Sequence, residues 1–129
     1  MKITRNDLNE IKEKVKEEGN YKIWQYKCFI YIIERSRHLG YLKGYVLLPR
    51  NHKYYWKYYE NIPVKSYDGL RYSKEEYWFW KIGFDCANDL VPSTVEELME
   101  DKQQIEYRDC EYKDMQFVEK EIKKLIDQL

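Results

Sequence analysis

Seven side chains could together meet a phosphorylated ligand: Arg50, His52, Tyr54, Arg71, Trp80, Asp85 and Asn88. Cationic N–H groups attract phosphate, and tyrosine and tryptophan rings offer faces on which a base stacks. A pocket built from these seven would stack a base and neutralise its phosphate. Arg50, His52, Lys53 and Tyr54 follow Pro49 in one basic loop, so His52 is expected at the surface rather than in the core. The competing reading of His52 is local capping of the loop.

Other chemistries find less support. Cys28, Cys86, Cys110, His38 and His52 never approach CxxC or HxxxH spacing, so no metal site is expected. Asp85 and Asp89 could hold a divalent ion, but two carboxylates on one loop are read as caps or ion-pair partners. Cys86 would need His52 or His38 beside it to act as a nucleophile, and it ends an apolar run (Ile82 to Ala87) where a buried thiol is the simpler account. Neither GxxxxGK[ST] nor GxGxxG occurs. Any phosphate must therefore be met by Arg and Lys side chains, or by backbone N–H groups after Pro49 and around Gly69. No catalytic residue and no cofactor is assigned.

Composition admits two readings: a pocket of cations and rings, or an aromatic sheet core with solvated lysines joined to acidic helices that neutralise it. The 129 residues carry 23 basic and 23 acidic side chains, but unevenly. Residues 21–82 hold twelve basic and five acidic groups, a net of +7, with twelve of the fourteen tyrosines and all four tryptophans. Residues 83–129 hold six basic and thirteen acidic groups, a net of −7. The zero total argues against a general DNA binder and against a DNA mimic. No apolar run approaches a membrane span, and three widely spaced cysteines argue against a disulfide framework. The N-terminal residues lack the apolar core of a signal peptide, so a cytoplasmic location is expected. The length suits one domain, residues 1–129.

The elements that would position these groups follow from periodicity and capping. Leu8, Ile11 and Val15 predict a helix over 5–18, capped by Thr4 or Asn6 and stopped at Gly19. Residues 21–33 are rich in aromatic and β-branched side chains and read as a strand, paired across a loop near 34–39 with a second strand from Gly40 to Leu48. Pro49 ends that strand. Residues 50–59 read as a loop entering a short helical turn, Ile62-Pro63-Val64 as extended, and Tyr67-Asp68-Gly69 as a turn. Leu70–Tyr72 and Tyr77–Phe84 read as two more strands around polar Ser73–Glu76, which puts Trp78 and Trp80 on one face. Ser93 and Glu96 have capping-box spacing for a helix running to about Lys102. Asp114 caps a last helix striped with Met115, Val118, Ile122, Leu125 and Leu129. The expected fold is α+β, with a mostly antiparallel sheet of four to five strands, one N-terminal helix and two C-terminal helices.

Several of these segments resemble a family of small proteins encoded by tailed phages and prophages. Gly44-Tyr45-Val46, Pro49, His52 and Tyr58 or Tyr59 are similar to its GYVGVPxGHPLYGxxY opening. Gly69-Leu70-Arg71-Tyr72-Ser73 is similar to GGLTYS, and Trp80-Lys81-Ile82-Gly83-Phe84-Asp85-Cys86-Ala87 to WWFGFDCAHAGD. Phe117-Val118-Glu119-Lys120-Glu121 with Leu125 and Gln128-Leu129 is similar to YVxxE…LxxQL. The likeness covers residues 26–129, and GFDCA is its most specific part. Tyr67-Asp68 replaces a His-Gly pair and Asn88-Asp89 replaces His-Ala-Gly-Asp, so two histidines of the pattern are missing and any site they formed is altered.

What the resemblance implies is context: an accessory protein of a phage, of a kind that counters host defence. Three functions are therefore expected. The first is capture of a small phosphorylated or cyclic nucleotide signal. The second is inhibition by docking on a host defence protein, as an anti-CRISPR protein docks on a Cas effector. The third is a hydrolase of nucleotides or nucleic acid that uses His52 and Asp85. The partner is thus a nucleotide or a host protein, with a second copy of the chain as a further candidate and no membrane.

Overall fold

The computed structural model describes residues 1–108 and 111–129. Its order is β1 (Lys2–Thr4), α1 (Arg5–Glu18), β2 (Tyr21–Tyr26), β3 (Phe29–Arg35), β4 (Leu42–Leu48), a short 3₁₀ turn (Tyr59–Asn61), β5 (Tyr72–Glu76), β6 (Phe79–Asp85), α2 (Pro92–Leu98), β7 (Gln104–Glu106) and α3 (Met115–Ile126). Strands β2-β3-β4-β6-β5 form one antiparallel sheet in that order, and β1 pairs with β7 in a small second sheet. The fold is α+β, as the sequence predicts. No helix among the described residues is long and apolar enough to cross a membrane.

Strand alternation builds the main core. Tyr31, Ile33, Val46, Leu48, Trp80, Ile82 and Phe84 are buried together with Val118, Ile122, Leu125 and Ile126 of α3. Gly44 lets this helix sit down: a methyl group there would lie 2.8 Å from the Phe84 ring and 3.1 Å from Ile122 Cδ1. A smaller core joins Ile3, Leu8, Leu90, Val95 and Met99. Both capped helices begin as expected. Thr4 and Asp7 form a reciprocal capping box at α1, and Asp114 accepts the Phe117 N–H at α3.

Three local expectations are corrected. Residues 21–33 are not one strand but two, because Lys27-Cys28 forms a tight turn between Tyr26 and Phe29, with Lys27 at φ +54°. The polar run Ser73–Glu76 is itself strand β5, and Tyr77-Trp78 is the turn into β6; an edge strand tolerates polar side chains. Trp78 therefore shares no strand face with Trp80. Ser93 caps nothing: α2 starts after Val91 without a side-chain cap and ends at Leu98. The Ser93 hydroxyl instead donates to the carbonyls of His38 and Leu39, and Glu96 pairs with Lys12.

The two cores meet at Arg35, the last residue of β3 and 8% exposed. Its guanidinium donates to the carbonyls of Gly19 and Gly40, to Asn20, to the Tyr112 hydroxyl and to the Glu18 carboxylate at 3.1 Å. Arg35→Ala should cost about 3–5 kcal/mol, because it leaves the buried Glu18 carboxylate without its cation. Gly44→Ala should cost about 1–3 kcal/mol by pushing Phe84 and Ile122 apart. Urea unfolding of both variants measures the two losses.

Candidate functional site

The register of β4 against β6 decides where the seven predicted residues lie. Leu48 pairs with Trp80, while Lys43 pairs with Asp85. Trp80 and Asp85 are thus at opposite ends of β6, roughly 16 Å apart at about 3.3 Å per residue. Arg50, His52 and Tyr54 continue from Leu48 and stay at the Trp80 end. Arg71 and Asn88 gather at the Asp85 end. The seven do not share one hollow. A hollow of about 680 Å³ elsewhere on the molecule is lined by none of them.

At the Asp85 end, positive charge is already answered. Arg71 Nη2 is 2.6 Å from Asp68 Oδ2, and its Nη1 is 3.8 Å from Asp85 Oδ1. Asn88 donates to Asp68 at 2.9 Å, and Asp85 accepts the Ala87 N–H at 3.0 Å. One arginine facing two carboxylates offers little to a phosphate. Among the described residues no group of three His, Cys, Asp or Glu side chains could hold a metal ion. Cys110 lies outside the described residues. Cys86 is buried, and burial pushes its thiol up to about 12, far from a thiolate nucleophile.

At the other end, Trp80 is 3% exposed and gives its indole N–H to the Lys57 carbonyl at 2.7 Å. It anchors the 50–59 loop and offers no open face to a base. His52 is folded inward too. Its Nδ1 accepts the Tyr54 N–H at 3.0 Å, and its ring lies against Phe29 and Tyr54, centroids 5.7 and 5.4 Å away. Burial, and then the Lys53 charge, hold its pKa below the ordinary histidine value. His52 therefore caps its own loop, and the His52–Asp85 pair required by a hydrolase is not formed.

What this end does expose is a set of rings. Tyr77 is 89% exposed, Trp78 71%, Tyr58 68% and Trp56 60%. Arg50 stacks over Trp78 at 4.9 Å. Arg50, Lys53 and Lys57 are in no ion pair with a described residue. Tyr77 (φ +48°), Trp78 (+75°) and Trp56 (+70°) all sit in the left-handed region, where a bulky side chain is strained. Positive φ at both residues of a two-residue hairpin loop is the type I′ pattern, whose usual occupants are Asn and Gly.

Of the predicted residues, only Arg50 contributes an open group to this tip. Sequence reasoning missed Trp56, Tyr58, Tyr77, Trp78 and, at the other end, Asp68. The available signal was the absence of any Gly, Asn or Pro between Ser73 and Lys81, in a stretch that must nevertheless turn. No protein-family model, no curated protein and no solved structure matches the chain.

The His52 assignment has a pH signature. A histidine whose folded pKa is depressed binds fewer protons folded than unfolded, so stability falls as pH drops below the unfolded value of about 6.5 and stops falling below the folded value. His52→Asn keeps an acceptor for the Tyr54 N–H and removes the titration. Its Tm should fall less than wild type between pH 7.5 and pH 5, as thermal melts across that range would show.

Proposed function

We propose that this chain is a binding protein that blocks a protein partner by docking through its aromatic tip. The observation that carries the reading is the Tyr77-Trp78 turn. Two large rings occupy positions where L-residues cost about 1–2 kcal/mol each in backbone strain. Both rings are largely exposed, Trp78 beneath Arg50, so they contribute little to the core. Strain retained without a folding benefit points to a role in recognition.

The character of the tip supports a protein partner. Tryptophan, tyrosine and arginine are the residues that dominate binding energy at protein interfaces. They form a projecting surface here, not an enclosed pocket, which suits a broad partner better than a mononucleotide. Three cations with no carboxylate partner among the described residues favour an acidic patch on that partner. The likeness to phage accessory proteins supplies the class: a host defence protein, in the manner of an anti-CRISPR inhibitor. Nucleotide capture by Arg50, Arg71, Trp80 and Asp85 together loses its basis, since these residues lie at two ends of one strand.

The test replaces the turn by its preferred chemistry, Tyr77→Asn with Trp78→Gly. Relief of strain should raise stability by about 1–2 kcal/mol. The same variant should lose the stoichiometric protein that wild type retains from host lysate. Undiminished capture by the stabilised variant would overturn the reading, as would retention by wild type of nucleic acid and no protein.

A further inference from the structure

The 680 Å³ groove lies at the opposite end of the sheet from the tip, between the second half of α1, the start of β2, the β3–β4 loop and the start of α2. Its size falls within the range of small-molecule sites. Its floor is rigid. All five N–H groups of Arg35 have acceptors within the protein, so that side chain is committed to the fold. The loop above is pinned as well. Ser36 N–H donates to the Tyr41 carbonyl at 2.8 Å, Gly40 N–H to the Ser36 carbonyl at 3.0 Å, and the Ser93 hydroxyl to the Leu39 carbonyl at 3.0 Å.

The groups lining the groove sort into committed and uncommitted. Lys12 is neutralised by Glu96 at 2.8 Å. Lys16 and Arg37 are in no ion pair or side-chain hydrogen bond with a described residue. Tyr21 is 57% exposed, and its ring stacks on no other aromatic ring of the described chain. Tyr21 and Glu34 are direct cross-strand partners, so ring and carboxylate stand side by side on one face. Lys43, on β4, is the partner of Glu34 on its other side. Leu39 and Pro92 add an apolar wall.

We propose that this groove binds a guanine nucleotide, independently of the tip. The base stacks on the Tyr21 ring. The Glu34 carboxylate, which only accepts, takes both donors of the guanine Watson–Crick edge, N1–H and the exocyclic amine. Adenine presents an acceptor at N1 there and is repelled by the same carboxylate. Lys16 and Arg37 hold the phosphate, Arg37 through its planar fork. No bond is made or broken, so the nucleotide is held and not turned over.

Calorimetric titration of the full chain with GMP, AMP and inorganic phosphate tests this. GMP should bind at least tenfold more tightly than either competitor. Glu34→Gln, which replaces one acceptor by a donor, should abolish the preference over AMP with Tm unchanged. Arg37→Ala should weaken GMP about tenfold. The Tyr77→Asn/Trp78→Gly variant should bind GMP as wild type does, which separates this site from the docking surface. Equal affinity for GMP and AMP, a preference that survives Glu34→Gln, affinity for phosphate matching that for GMP, or no heat from millimolar GMP would each overturn the proposal.

Discussion

A buried guanidinium has a hard requirement: five donors must find five acceptors, and its charge must find a counter-charge, or the fold loses several kcal/mol. Arg35 meets that requirement only in one arrangement of the chain. Its acceptors come from the end of α1, from the residues just after it, from the β3–β4 loop, from Tyr112 and from Glu18. The second oxygen of Glu18 then accepts the Met115 N–H at the start of α3. One side chain thereby fixes α1 against the sheet, and α3 against both. The two apolar cores are separate clusters, and among the described residues neither shares a buried side chain with the other. Apolar contact is non-directional, and it would not choose among the angles at which two such cores can meet. Directional bonds around Arg35 choose one.

The sheet then separates two environments. Around Arg35, the guanidinium is fully hydrogen-bonded within the protein and the β3–β4 loop is held by hydrogen bonds. At the far end, the backbone carries strain at Trp56, Tyr77 and Trp78 and exposes rings instead of burying them. The seven-residue strands β4 and β6, locked in register from Lys43–Asp85 to Leu48–Trp80, support that end. Trp80 closes the arrangement from below. Its ring lies 5.2 Å from that of Trp56, and its N–H holds the Lys57 carbonyl, so core packing determines the pose of an exposed loop. The strain is sustainable because the ladder beneath it is complete.

These features were unequally legible in the sequence. The capped helices were readable because Thr4 with Asp7, and Asp114 with the α3 stripe, express local rules that tertiary structure did not override. The sheet was readable in class but not in detail. Lys27-Cys28 and Tyr77-Trp78 make their turns without the residues that turns prefer, so the first hairpin read as one long strand and the second was displaced. Polar Ser73–Glu76 reads as a break because edge strands need not alternate in hydrophobicity. The site was misplaced for a related reason. Cations and rings crowd together in residues 50–85, but β6 runs between them and sends Trp80 and Asp85 to opposite ends. Composition counts charges and has no register. The turn with both residues at positive φ, Tyr77-Trp78, is also where the chain exposes two large rings, as expected where a local rule yields to a binding demand.

Separation by the length of a strand has a consequence for any two occupants of these surfaces. The tip is built on the Leu48–Trp80 end, and the groove on the Glu34–Gly40 end, with packed β-sheet between them. Close-packed interiors do not deform continuously, so a small change at one end is not passed smoothly to the other. A ligand in the groove would bridge α1, β2 and the β3–β4 loop, the same elements that Arg35 ties together, and would stabilise the fold by mass action in proportion to ln(1 + [L]/Kd). It would leave the Tyr77-Trp78 turn as it is. Occupancy of one surface should then change how long the other survives, through global stability, and not how tightly it binds.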